Sequence, residues 1–226
     1  MKFGLHYLMS VSESQSPSQR YRDTVEQAVR AEGLGFESVW PVEQHFNQIQ
    51  SALPCPTLLL AAIASRTTTL RLGTAIVQLP LAHPLRTAEE IATLDVLSGG
   101  RVEFGVGRGS QPKHFAGFGV PLSESRDRMV EALDYLHVAF THDQFSFDGR
   151  FYQANDICLV PKPAQRPHSP IRIAADSRIP SNSRAGSGIR FSSRPTSTRC
   201  RSYESFSGST TAPGPRPGTR PRCPTT

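Results

Sequence analysis

The period of hydrophobic and polar positions changes repeatedly along residues 1–177, and each change marks an element. Residues 3–8 form a short apolar run that predicts a first strand. Residues 10–18 are polar, contain Pro17 and read as a loop. Over residues 18–34, Tyr21, Val25, Ala28 and Val29 recur at one-face helical spacing, and Gly33 and Gly35 supply the stop. Residues 36–40 predict a second strand, ending at Pro41. Pro56 opens a helix through Leu58, Leu59, Leu60 and Ile63 that is apolar nearly all round, as in a helix packed tightly on a sheet. Residues 70–80 read as a third strand, 85–97 as a helix and 102–106 as a fourth strand, followed by a glycine-rich loop. Met129, Leu133, Leu136 and Phe140 line one face of a helix over 123–142. Residues 145–152 alternate around Asp148-Gly149, a hairpin signature. A proline-rich loop then leads to a fifth strand at 171–175.

Strands alternating with helices predict a parallel sheet covered by helices. Five such units suit a TIM-type (β/α)8 barrel, of which these are the first five. No Gly-x-Gly-x-x-Gly follows the first strand, so a dinucleotide-type open sheet lacks its usual signature.

Composition divides the chain in two. Residues 1–177 hold 16 Lys and Arg against 18 Asp and Glu, whereas 178–226 hold nine Arg, no Lys and one Glu. The positive net charge therefore belongs to the tail, and the body lacks the basic surface a nucleic-acid partner needs. Ser, Thr, Pro, Gly and Arg make up 38 of the last 49 residues, with neither Leu nor Val among them. Such a segment cannot bury enough apolar surface to offset its ordering entropy, so disorder is expected. The expected organisation is a barrel domain over 1–177 and a low-complexity tail over 178–226. The abrupt switch after Ser177 suggests a frame shift or truncation, against the alternative of a genuine basic tail. The four cysteines, Cys55, Cys158, Cys200 and Cys223, have no metal-ligand spacing and read as buried or incidental thiols. With no signal-like start and no run of membrane-spanning length, the expectation is a cytoplasmic chain without metal or membrane partner.

Seven stretches then carry a resemblance: Met1-Lys2-Phe3-Gly4, Gly35-Phe36-Glu37-Ser38-Val39-Trp40, Glu43-Gln44-His45-Phe46, Leu72-Gly73-Thr74-Ala75, Leu79-Pro80-Leu81-Ala82-His83-Pro84, Leu94-Asp95-Val96-Leu97-Ser98-Gly99-Gly100-Arg101 and Gly105-Val106-Gly107-Arg108-Gly109. Together and in this order they resemble the bacterial-luciferase-like flavin-dependent monooxygenases. The resemblance implies a barrel that binds reduced FMN at the C-terminal strand ends and uses O2 to oxidise an organic substrate. It implies a separate flavin reductase as electron source, and commonly a homodimer. A deazaflavin-dependent oxidoreductase of the same superfamily is the close alternative. A non-catalytic barrel fragment is the other.

The resemblance also implies roles. Arg108 matches a phosphate-contacting arginine, and Gly107 beside it lets backbone approach the ligand; the alternative is a surface-loop arginine. Asp176 and Ser177 match an acid–serine pair at the phosphoribityl end of the flavin. Ala75 and Ile76 align with a peptide that is often cis and lies beneath the flavin ring. Gln44 stands where the family carries an acid–base histidine; a glutamine can hydrogen-bond a ligand but cannot shuttle a proton near neutral pH. That leaves His45, as catalytic group or as a structural histidine, with Glu43 as its support. Val106 takes the place of a reactive cysteine. His83 and Arg86 read as the capped start of a helix.

Overall fold

The computed structural model describes residues 2–174 and the backbone of Arg201–Ser202. Four parallel strands come first: β1 (Gly4–Tyr7), β2 (Ser38–Pro41), β3 (Arg71–Gly73) and β4 (Val77–Gln78). They are followed by β5 (Val102–Gly107), the hairpin strands β6 (Phe145–Asp148) and β7 (Gln153–Ile157), β8 (Ile171–Ile173) and β9 (Arg201–Ser202). The helices are α1 (Pro17–Gly33), α2 (Pro56–Ala64), α3 (Pro84–Leu97), α4 (Pro112–Gly117) and α5 (Ser125–Thr141).

The sheet runs β1-β2-β3-β5-β8, every neighbour parallel and in chain order. An open doubly wound sheet reverses its order at a switch point; this one does not. Right-handed crossovers in one unbroken direction put every helix on the same side, which is the construction of a barrel wall. The described residues are thus α/β, with four consecutive β/α units and the fifth strand of a TIM-type barrel.

Val102, Phe104 and Val106 on β5 lie in one core with Ala88, Ile91 and Ala92 of α3 and Leu133, Leu136 and Phe140 of α5. The predicted face of α5 is buried as expected. The alternate residues point to the other side of the sheet. There Glu103 of β5 accepts from Arg71 Nε of β3 at 3.0 Å and pairs with Arg172 of β8. Gly73 leaves room for the Trp40 indole, whose Nε1–H donates to Ser38 Oγ at 2.9 Å.

The N-terminal ends of the strands are tied by polar clamps. The Arg101 guanidinium donates to the carbonyls of Ala64, Thr67 and Leu70, each at 3.0 Å. Fully buried Asp95 accepts from Gln165 N at 2.8 Å and Gln165 Nε2 at 2.7 Å. The residues 94–101 that carried part of the resemblance therefore serve the stability face of the barrel.

Three expectations are corrected. The third strand is broken in two: Gly73 faces Glu103 but Val77 faces Val106, so one extra residue is accommodated opposite β5 as a bulge. A 3-10 turn, Leu79–Leu81, follows β4. The second hairpin arm begins at Gln153, because Glu131 of α5 takes the N–H groups of Arg150, Phe151 and Tyr152 that a tighter turn would leave to the ladder. On α2, Leu58 is 71% exposed, since a helix on the outside of a sheet has one free face. Cys55 is an exposed free thiol, within the expectation of buried or incidental cysteines. The expected disorder over 178–226 lies outside the described residues, save that Arg201–Ser202 pairs antiparallel with β8 and so covers a strand edge.

Candidate functional site

The C-terminal ends of β2, β4 and β5 converge, and each feeds a loop with polar side chains. After β2, residues 42–46 curl back so that Gln44 N donates to Leu53 O at 2.9 Å. Phe46 takes a left-handed φ of 58° and lays its ring where Gly117 has no side chain. After β5, residues 108–111 lead into α4. That six-residue helix is too short to show a period, and it escaped the sequence reading. Pro112 at its first turn and Gly117 and Gly119 at its end were the available signals.

From these loops Glu43, His45, Gln78 and His114 close into a hydrogen-bonded ring. The His45 backbone N–H donates to His114 Nε2 at 3.3 Å, so that nitrogen carries no proton. The proton sits on Nδ1, which donates to Gln78 Oε1 at 3.1 Å. This fixes the Gln78 amide, whose Nε2 donates to Glu43 O at 3.2 Å. Gln78 N–H donates to Glu43 Oε2 at 3.3 Å, and His45 Nε2 meets Glu43 Oε1 at 3.0 Å. His45 and His114 are buried, edge to face at 5.1 Å, with Phe118 edge-on to His45 at 4.8 Å. Burial raises the Glu43 carboxyl above its ordinary value, and the hydrogen bond from His45 works against that rise. Burial, followed by the nearby His45, lowers His114. A neutral His114 agrees with its accepting role. Sequence reasoning identified Glu43 and His45 and missed Gln78 and His114, which lie 35 and 69 residues further along.

Beside this ring, residues 74–76 lie flat on β5. Thr74 Oγ donates to Gly105 O at 2.6 Å, and a side chain at Gly105 would collide with the Thr74 carbonyl. The Ala75–Ile76 peptide is cis, the geometry the resemblance implied. A Cβ on Gly107 would stand 2.6 Å from Ile76 Cδ1. Gly109, with φ of 73°, turns the chain close over Gln78. Arg108 between these glycines is exposed and makes no side-chain hydrogen bond or ion pair with another described residue. Gln44 Oε1 is buried without a hydrogen-bond partner among the described residues. Val106 is fully buried in the core.

Gln44 and His45 lie in the loop after β2, Ala75 and Ile76 between β3 and β4, and Gly107 and Arg108 at the C-terminal end of β5, while Asp176 and Ser177 lie outside the described residues. His83 belongs elsewhere: its Nδ1 accepts from Leu85 N at 3.2 Å as the cap of α3, and Arg86 pairs with Glu89 and Glu90. Among the described residues no group of His, Cys, Asp and Glu could hold a metal, and no helix is long and apolar enough to cross a membrane.

The features present fit a phosphate-bearing flavin cofactor. An unengaged guanidinium between glycines suits a phosphate, and a buried acceptor without a donor suits a ring N–H or a hydroxyl.

Comparison with known proteins agrees with this fit. The family model described as luciferase-like monooxygenase matches residues 1–187. The oxygenase component of the flavin-dependent trigonelline monooxygenase of Acinetobacter baylyi is 31% identical over 178 residues, covering 77% of this chain and 49% of that protein. The crystal structure of monooxygenase RslO1 from Streptomyces bottropensis superposes with a TM-score of 0.75 at 33% identity, covering 77% of this chain and 53% of that one. An F420-dependent secondary alcohol dehydrogenase, solved with an F420-acetone adduct, gives 0.64 at 27% identity, with 77% and 53% covered. The chain spans about half the length of the relatives it matches. Family model, fold and strand-end geometry agree: this chain belongs to the luciferase-like monooxygenases.

Proposed function

We propose that the chain is the flavin-binding part of an FMN-dependent monooxygenase that oxidises an organic substrate with O2. The carrying observation is the convergence of Gly107–Arg108, residues 74–76 and the Glu43–His45 pair at the C-terminal strand ends. Arg108 would hold the phosphate, with Asp176 and Ser177 beside it. The backbone of Ala75 and Ile76 would support the ring, and Gln44 Oε1 would accept from a ligand N–H or O–H. Reduced flavin, when bound, supplies the electrons that activate O2. Around it the chain would offer His45 as a proton acceptor or donor. A separate reductase supplies the reduced flavin, a reading supported by the "oxygenase component" among the relatives. Homodimerisation belongs to this reading as well, and so does a cytoplasmic location.

A deazaflavin is the second reading, favoured by the F420-dependent structural neighbour. Direct titration with each cofactor separates the two.

Replacing Arg108 by Ala tests the phosphate role. Loss of a charge-assisted phosphate contact should weaken FMN roughly 10- to 100-fold. Riboflavin, which lacks the phosphate, should be held as before. Equal losses for both ligands would refute the assignment.

A further inference from the structure

The ring of four side chains has a direction. His114 Nε2 accepts from the His45 backbone and His114 Nδ1 donates to Gln78, so this imidazole is locked in one tautomer by partners from two other loops. Lys113, its neighbour on α4, donates to Phe46 O at 3.1 Å, a second tie to the same loop. Glu43 has one carboxylate oxygen filled by Gln78 N–H and the other opposite His45 Nε2. With Gln78 and Glu43 so fixed, the arrangement that satisfies every group places a proton on His45 Nε2, aimed at Glu43, and leaves His45 Nδ1 bare. That nitrogen makes no hydrogen bond with another described residue.

We propose that His114 is a positioning residue that holds His45 in its Nε2–H tautomer, so that His45 keeps a bare Nδ1 available as a proton acceptor. The ligand is an N–H or O–H donor bound beside residues 74–76, an assignment that rests on the flavin reading above. His114 itself touches no ligand. It acts through the His45 backbone and through Gln78, which carries its orientation on to Glu43. The sequence gap of 69 residues between His45 and His114 is closed by α4 standing over the 42–46 loop. The ring contacts with Phe46 and Phe118 seal that joint from the solvent side.

The test is the imidazole nitrogen spectrum of the whole 15N-labelled chain without flavin, compared with His114→Phe and His114→Gln. His45→Gln supplies the assignment. The wild type should show His114 protonated at Nδ1 and His45 at Nε2. Phenylalanine keeps the ring packing but neither hydrogen bond, so the His45 signals should move toward the average of its two tautomers. Glutamine can accept from His45 N–H and donate to Gln78, so it should restore the wild-type pattern. An unchanged His45 pattern in a folded His114→Phe protein would overturn the proposal. Should that variant fail to fold, the wild-type spectrum decides: His114 protonated at Nε2 overturns it, and at Nδ1 supports it. FMN titration of the same samples separates this inference from the reading beneath it. A His45 pattern that follows His114 in a chain that ignores FMN sinks the flavin and keeps the positioning.

Discussion

Glu32 shows how much one carboxylate does at the end of a helix. It leaves the last turn of α1 to accept from the N–H groups of Thr68, Thr69 and Leu70, and from the Thr69 hydroxyl. Burial alone would raise its carboxyl; the donors of Thr69, Leu70 and Thr68 outweigh that and hold it down at about 2. A group whose folded value lies below its unfolded one adds stability above the unfolded value, and that stability drains away as pH falls through the folded value. Glu32→Gln should therefore melt below the wild type at neutral pH, and the gap should close between about pH 4.5 and 2. A gap independent of pH, read from thermal melts, would contradict this. Residue by residue, what a sequence shows is chemical type rather than partner. Gly73 and Trp40 both stood in the stretches that carried the resemblance. That the indole needs the missing side chain of Gly73 became visible only with the fold. Arg101 likewise marked the family, yet its work is to clamp three carbonyls at the face away from the site.

Elements with a repeating pattern were legible. The face of α5 named from spacing is the buried one, and α3 begins at Pro84, one residue before the helix read from spacing. Two kinds of element were not. Short pieces such as α4 and β4 have fewer residues than a period needs, so tertiary contacts alone define them. The hairpin formed where its alternation placed it, but its second arm is shifted, because its turn is set by a partner 19 to 21 residues earlier. Glu131 takes the N–H groups of Arg150 at 3.1 Å, Phe151 at 2.7 Å and Tyr152 at 2.8 Å, while Arg128 and Arg150 cover the two sides of this anchor by stacking on Phe151. Glu131→Ala removes the acceptor of all three amides at once. Their hydrogen exchange should quicken by roughly tenfold or more while the amides of β5 keep their protection. Unchanged exchange at residues 150–152 would show that the ladder, not Glu131, fixes the turn.

For the whole molecule, the order of strands matters more than any one of them. A monotonic parallel order puts all the crossover helices on one side and all the βα loops at one end. The two ends then divide the labour. The end that holds Arg101, Asp95 and Glu32 is closed by clamps between charged groups and backbone. The other end holds an Arg108 and a buried Gln44 oxygen that have no hydrogen-bond partner among the described residues, and a ring of groups built around His45. The family and the barrel class were legible because the motifs of both ends occur in order. The candidate site was legible only where it falls inside those motifs, at residues 43–45, 74–75 and 107–108, and at Ile76 beside them; Gln78 and His114 joined it through the crossing of loops.

The most direct test of this division is hydrogen–deuterium exchange of the full chain with and without saturating FMN. The account predicts slowed exchange at residues 42–46, 74–78 and 105–114, and none at 64–70 or 98–102. Protection at the clamped end, or no protection anywhere while FMN is bound, would contradict a flavin site at the C-terminal ends of these strands.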